Sequence, residues 1–143
     1  YEEVREKRGL AYSAYSYLMP FENAGLYIGG AGTRNAKVAE TLETIRTELA
    51  RMRDGGITEK ELVDAKTYIN GSFPLRLTSS GRIAGLLLAM QRHDLGLDYL
   101  ERRAGIYDAI TLADVARVAK RLLQPEKMYV VVVGDPQGVE SGN

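Results

Sequence analysis

Hydrophobic and polar residues alternate in the first part of the chain. Residues 10–18 place apolar and aromatic side chains at every second position on both faces, which is the period of a β-strand. Residues 25–32 form a second apolar stretch, and Pro20, Glu22 and Asn23 supply turn residues between the two. We therefore predict two strands paired as an antiparallel hairpin.

Helical periodicity replaces this alternation after residue 35. Apolar residues recur at steps of three and four over residues 38–52, and we expect Asn35 to cap this helix and Gly55-Gly56 to end it. Thr58-Glu59-Lys60-Glu61 has the pattern of a capping box, which predicts the start of a second helix. Pro74 should bend or stop that second helix.

The remaining segments predict more helices and one strand. Apolar stripes cover residues 82–91, 97–109 and 112–123, with Thr111 as the cap of the last of these helices. Residues 128–133 form a continuous apolar run before a glycine, which predicts a central strand buried on both faces.

This order of elements predicts an α+β fold, with a mainly antiparallel sheet packed against helices. We expect residues 1–136 to form a single domain and residues 137–143 to form a flexible tail. The chain opens without Met on Tyr1–Arg8, which has the character of the end of a helix, and three strands are few for so many helices. We therefore expect an N-terminally truncated fragment of a longer protein.

Composition excludes several functional classes. The chain has 143 residues and 45% hydrophobic content, with 19 basic and 19 acidic side chains, so no overall charge favours nucleic acid. It has no cysteine, which excludes thiolate zinc sites and is compatible with the bacterial cytoplasm or periplasm. No apolar run is long enough to span a membrane.

Three motifs are weak candidates for chemistry. Residues 30–35 follow a strand and open a helix as a dinucleotide fingerprint would, but Asn35 stands in the position of the third glycine. We expect these glycines to permit a bulge or a close approach of another backbone. His93 is the only histidine and cannot form a zinc site alone, and the acidic residues from Glu59 to Asp64 suit the first turn of a helix.

The strongest candidate is the opening run Val4-Arg5-Glu6-Lys7-Arg8-Gly9-Leu10-Ala11-Tyr12-Ser13. Arg5 and Tyr12 are seven positions apart where a charged helix end meets a strand, so a guanidinium and a phenol could converge on one carbonyl or carboxylate. An Arg at a helix end is more often solvated, and a strand Tyr more often packs in a sheet. Tyr15 and Tyr17 are best explained by packing or by a contact with a partner.

This run resembles the C-terminal half of the insulinase/pitrilysin-type zinc peptidases, which often carries an Arg and a Tyr seven residues apart. The resemblance extends to the hairpin, to residues 55–62 and to the closing residues 131–136. The His-x-x-Glu-His zinc signature of that family is missing from this chain. The resemblance therefore implies that zinc lies on a homologous catalytic half or subunit, and that this chain alone holds no cofactor and is inactive.

Two functions follow from this resemblance. In the first, the chain is the substrate-binding half of a zinc endopeptidase, and Arg5 and Tyr12 bind a peptide or unfolded polypeptide and stabilise the transition state. In the second, it is a noncatalytic assembly module derived from the same family. The presence of both Arg5 and Tyr12 favours the first function.

Overall fold

The computed structural model describes residues 11–139, which form two compact units. The first unit contains residues 11–55 and 118–139, and the second contains residues 56–117. Within residues 11–139 the elements are two β-strands and five α-helices, so the predicted α+β class is confirmed. None of these helices is both long and apolar enough to cross a membrane.

The first unit begins with the predicted hairpin. Strands β1 (Ala11–Pro20) and β2 (Gly25–Thr33) pair antiparallel, and their register ends with Pro20 opposite Gly25. The helix after the hairpin begins with a 3₁₀ turn, Asn35–Lys37, which continues into α1 (Val38–Gly55).

The expected cap at Asn35 was wrong, because Asn35 lies inside the 3₁₀ turn, and the residue preceding that turn, Arg34, makes no capping hydrogen bond through its side chain. Instead, the backbone carbonyl of Asn35 accepts a hydrogen bond of 3.1 Å from the Gln137 backbone N–H. The start of the helix is therefore tied to a segment about a hundred residues away in the chain, a contact that local patterns do not reveal.

The core of the first unit lies along α1 and residues 119–125. Val38, Thr41 and Thr44 are the buried residues of α1, and partly buried Ala14, Ala31 and Ile45 pack against the core. Helix α5 (Leu112–Leu122) begins in the second unit and enters the first, where Ala119 is buried and is followed by buried Leu123 and by a 3₁₀ turn at Pro125–Lys127.

The second unit contains α2 (Glu59–Ser72), a 3₁₀ turn at Pro74–Arg76, α3 (Ser80–Arg92) and α4 (Tyr99–Asp108). The capping box at Thr58 is confirmed: the Glu61 backbone N–H donates to Thr58 Oγ1 at 3.2 Å, and the Thr58 N–H donates to Glu61 Oε2 at 2.7 Å. Thr111 caps α5 in the same way with Asp114. Pro74 follows the end of α2, as predicted.

The predicted central strand over residues 128–133 was wrong. The segment forms no strand, and the sheet of the described residues consists of β1 and β2 alone. Tyr129, Val131 and Val133 are 100%, 88% and 95% exposed, whereas Val130 and Val132 are 36% and 37% exposed. A strand buried on both faces needs paired neighbours and two covering layers, and within residues 11–139 no strand pairs with this segment.

Candidate functional site

Tyr12 lies at an irregularity in the pairing of the hairpin. Ala11 pairs with Thr33 and Ser13 pairs with Gly32, so Tyr12 is an extra residue with no partner on β2. Such a β-bulge bends the strand and changes the direction of the side chains beside it. The Tyr12 side chain is 74% exposed, so its phenol is accessible in this unit.

Helix α1 holds the strand opposite Tyr12 in place. Thr41, which is 2% exposed, has its hydroxyl oxygen 3.2 Å from the hydroxyl of Thr33 and 2.7 Å from the carbonyl oxygen of Lys37. Because Thr33 is the partner of Ala11, this buried link fixes the end of β2 against the helix. The bulge at Tyr12 therefore sits on a supported edge of the hairpin.

The two neighbouring tyrosines of β1 have a structural explanation. The rings of Tyr15 and Tyr17 are stacked, with centroids 6.2 Å apart and an angle of 15° between their planes. Tyr15 lies opposite Gly30, and a Cβ built on Gly30 would come within 2.7 Å of the Tyr15 ring. The glycine thus provides space for an aromatic ring, and packing, one of the two explanations expected for Tyr15 and Tyr17, is present in their stacked rings.

The same geometry explains the glycine motif of residues 30–35. Gly30 and Gly32 lie within paired β2, and a Cβ on Gly32 would be 3.1 Å from the Ser13 hydroxyl. A phosphate loop instead presents free backbone N–H groups at a helix start. The atoms that come close to Gly30 and Gly32 are side-chain atoms of β1, whereas the prediction was a bulge or the approach of another backbone.

The residues described by the structure do not form a metal site. Within residues 11–139 no three His, Cys, Asp or Glu side chains come together in a way that could hold a metal ion. His93 is exposed at the C-terminal end of α3, where its backbone N–H donates to the carbonyl of Ala89 at 3.0 Å. A zinc site would need about three protein ligands in one place.

The predicted pairing of Arg5 with Tyr12 involves a residue outside the described part of the chain. Arg5 lies before residue 11, so the described site consists of Tyr12, the bulge and the supporting Thr33–Thr41 link. A phenol at this position can donate one hydrogen bond and accept others. The convergence of Arg5 and Tyr12 on one polar group stays a prediction.

A second polar cluster, in the second unit, was missed by sequence reasoning. Tyr99, Arg103 and Tyr107 recur every four residues on α4, and all three line an open cleft of about 590 Å³. The Arg103 guanidinium lies 4.0 Å from the centroid of the Phe73 ring and 4.6 Å from that of Tyr107. The i, i+4, i+8 spacing of Tyr, Arg and Tyr was the available signal, since it places all three on one helix face.

Comparison with known proteins gives consistent matches. Residues 1–69 match the family model described as the peptidase M16 inactive domain. An uncharacterized zinc protease of Mycobacterium leprae is 31% identical over 136 residues, which cover 95% of this chain and 30% of the relative. An uncharacterized zinc protease of Bacillus subtilis is 40% identical over 80 residues, which cover 56% of this chain and 20% of the relative.

Solved structures agree with these sequence matches. The crystal structure of a peptidase M16 inactive domain from Pseudomonas fluorescens superposes with a TM-score of 0.76 at 34% identity, covering 88% of this chain and 30% of that one. A protease from Helicobacter pylori gives a TM-score of 0.72 at 25% identity, covering 87% of this chain and 30% of that chain. The chain spans less than a third of the length of these curated relatives and structures.

Proposed function

Because this chain belongs to the M16 family of zinc proteases as a domain of the inactive type, we propose that it is the substrate-binding half of a zinc-dependent endopeptidase. In this proposal Arg5 and Tyr12 bind the peptide backbone and stabilise the transition state. The zinc ion, which would activate the attacking water, is held by a homologous catalytic half or subunit.

The observation that carries the proposal is the position of Tyr12. Tyr12 is an exposed phenol at a β-bulge, beside the end of β2 that the Thr33–Thr41 link joins to α1, and it is an accessible hydrogen-bond donor. A hydrogen-bond donor that is already in position can stabilise the negative charge that develops on a substrate oxygen, because it does not have to reorganise when the reaction occurs. Tyr15 and Tyr17, on the same strand, are instead occupied in ring stacking.

The chemistry assigned to Arg5 follows from its guanidinium group. It can donate two parallel hydrogen bonds to a carboxylate or reach a peptide carbonyl, and it stays charged at every physiological pH. Acting together, Arg5 and Tyr12 would orient the scissile peptide and stabilise the negative charge that develops on its carbonyl oxygen. Neither residue takes or gives a proton in this proposal.

The test compares Tyr12→Phe with Tyr17→Phe in the complete peptidase, with its zinc-bearing half present. Each substitution removes one hydroxyl from an exposed tyrosine of β1, but only Tyr12 is assigned to the substrate. Loss of one hydrogen-bond donor to an oxyanion lowers kcat by a factor of about 10²–10³. We therefore expect the kcat of Tyr12→Phe to fall by that factor and the kcat of Tyr17→Phe to stay close to the wild-type value. Equal activity of the two variants would refute the role of Tyr12.

Arg5 needs its own variants, because loss of its charge and loss of its geometry have different effects. Arg5→Lys keeps the charge but lacks the planar fork, whereas Arg5→Ala removes both. We expect both substitutions to lower kcat/KM for peptide cleavage, and Arg5→Ala should have the lower kcat/KM. Wild-type kinetics for Arg5→Ala would exclude it from substrate binding.

An assembly role is the second candidate, and the exposed apolar surface of the hairpin favours it. Leu18, Phe21, Leu26 and Tyr27 are between 45% and 68% exposed on or between the two strands. Exposed apolar surface of this kind is typical of a contact with another protein. Zinc stoichiometry of the purified assembly separates the two functions, since a peptidase contains zinc and a purely structural assembly does not.

A further inference from the structure

We propose that the cleft in the second unit binds an oxyanion attached to an apolar or aromatic group. The cleft has a volume of about 590 Å³, within the range of small-molecule sites, and it lies wholly within residues 73–107. This proposal does not depend on the proposed function of Tyr12. The residues that line the cleft are Phe73, Arg76, Leu77, Arg82, Leu86, Tyr99, Arg103 and Tyr107.

Charge is the first reason for this proposal. Three of the lining residues, Arg76, Arg82 and Arg103, are cationic, and none is acidic. The chain as a whole has no net charge, so three cations without an acid in one cleft are a local concentration of positive charge. Arginine is the side chain that best matches the oxygens of a carboxylate or phosphate group.

The second reason is that Arg103 is buried without a counter-charge. It is 7% exposed, and it forms no ion pair with a carboxylate of the described residues. Its neighbour Arg102 shows the usual arrangement, with Nε 2.7 Å from Oδ2 of Asp98. Burying a guanidinium without a counter-ion costs desolvation free energy. A bound anion would offset this cost at Arg103.

Arg103 also has hydrogen-bond donors to spare. Nη1 donates to Oδ1 of Asn70 and Nη2 donates to the carbonyl of Ile69, both at the long distance of 3.4 Å. A guanidinium has five N–H donors, and within residues 11–139 the other three have no acceptor. The rings of Phe73 and Tyr107 cover the same guanidinium, which fixes its orientation at the cleft.

The other two arginines lie at the surface of the cleft. Arg76 is the last residue of the 3₁₀ turn that begins at Pro74, and its side chain makes no hydrogen bond with the described residues. Nη1 of Arg82 donates to the hydroxyl of Thr78 at 3.2 Å, which leaves its remaining N–H groups available. An anion held by buried Arg103 would therefore also meet two exposed cations that line the same cleft.

The apolar lining defines the rest of the ligand. Phe73, Leu77 and Leu86 contribute hydrocarbon surface beside the cations, and Tyr99 and Tyr107 contribute rings with hydroxyl groups. A free inorganic anion would leave most of this volume unfilled. The chemistry fits a carboxylate at the end of a peptide with an apolar last residue, or a phosphate ester of an aromatic or apolar group.

The test measures binding to the full chain by isothermal titration calorimetry with three probes. N-acetylphenylalanine carries a carboxylate, phenyl phosphate carries a phosphate, and N-acetylphenylalaninamide is the neutral analogue of the first. We expect saturable binding of at least one anion and at least tenfold weaker binding of the amide. Preference for the acid over phenyl phosphate would indicate a peptide terminus as the source, and the reverse preference would indicate a phosphate ester.

Variants locate the binding at the cleft. A hydrogen bond to a charged group is strong, so we expect Arg76→Gln to weaken the binding of the preferred anion by about tenfold. Arg103→Gln should weaken it by at least as much. Arg92→Gln, on α3 but outside the cleft, is the matched control and should bind as wild type. Arg76 is exposed, so its variant remains informative even if Arg103→Gln lowers the stability of the fold.

Three results would overturn the proposal. The first is the absence of saturable binding by either anion, and the second is binding of the amide as tight as that of the preferred anion. An affinity that Arg76→Gln and Arg103→Gln leave unchanged would place the anion elsewhere and would also refute the cleft as its site.

Discussion

The Tyr15 ring lies directly over Gly30, its partner on the neighbouring strand, and a Cβ on Gly30 would come within 2.7 Å of that ring. Gly30→Ala must therefore displace the ring and weaken its stacking on Tyr17. Gly25→Ala is the matched control, because a Cβ there meets no atom within 4 Å.

We expect Gly30→Ala to be less stable than Gly25→Ala by about 1 kcal/mol, the value of a good cross-strand pair. The two variants are compared with each other because replacing Gly with Ala reduces the conformational freedom of the unfolded chain and so adds stability in both. Chemical denaturation gives the difference, and near-ultraviolet circular dichroism reports the tyrosine rings. Identical unfolding curves and spectra would contradict the close contact.

Acid should destabilise the chain partly through Asp114. The hydroxyl of Thr111, the guanidinium of Arg117 and the Thr111 backbone N–H donate to its carboxylate and lower the pKa of Asp114 from 3.8 to about 2. A lowered pKa in the folded state gives stability that is present above pH 3.8 and is lost as the pH falls toward 2.

Asp114→Asn removes this titration. The difference in stability between wild type and Asp114→Asn should therefore shrink between pH 4 and pH 2, as urea denaturation across this range can measure. Thr111→Val keeps the carboxylate but removes the largest cause of its low pKa, so it should show an intermediate dependence. Parallel curves for wild type and Asp114→Asn would be inconsistent with this assignment.

The contacts of Arg103 with the flanking rings should be measurable as a coupling energy. In a double-mutant cycle of Arg103→Met and Tyr107→Leu, the two changes should be less than additive by about 0.5–2 kcal/mol, because each removes the same cation–π contact. A cycle of Arg92→Met with Tyr107→Leu serves as the control and should be additive. Additivity in both cycles would mean that the ring and the guanidinium do not interact.

Arg53 joins two segments that are 73 residues apart in the sequence. Its Nη1 lies 3.0 Å from Oε2 of Glu126, and its other nitrogens bind Asp54 at 2.8 and 3.0 Å. We expect Arg53→Gln to lower the melting temperature more than Lys60→Gln, which breaks a pair within one turn of α2. The loss should diminish in 1 M NaCl, a salt concentration at which the screening length is about 3 Å. Equal melting temperatures for the two variants would show that the contact with Glu126 adds nothing.

Local patterns predicted most of the elements of this fold. The capping box at Thr58, the cap at Thr111 and the stop before Pro74 depend on residues within four positions of each other, and all three are present. The resemblance to the C-terminal half of the insulinase/pitrilysin-type peptidases is also confirmed by the matches to M16 inactive domains.

Features that depend on distant partners were not predictable in this way. The bulge at Tyr12 is defined by its register against β2, which no periodicity along β1 reveals. Arg103 looks like a solvated helix residue until Phe73, thirty positions earlier, covers it. Residues 128–133 have the composition of a buried strand, but a strand also needs neighbours to pair with.

The apolar segment of residues 128–133 has a practical consequence for work on this chain. Val131 and Val133 are exposed and the segment has no strand partner among the described residues, and an apolar stretch of this kind is a template for pairing with a second chain. We therefore expect the isolated chain to self-associate as its concentration rises, and Val131→Lys to keep it dispersed. Light scattering during concentration would reveal the difference, and the lysine variant is the form to choose for crystallisation or spectroscopy.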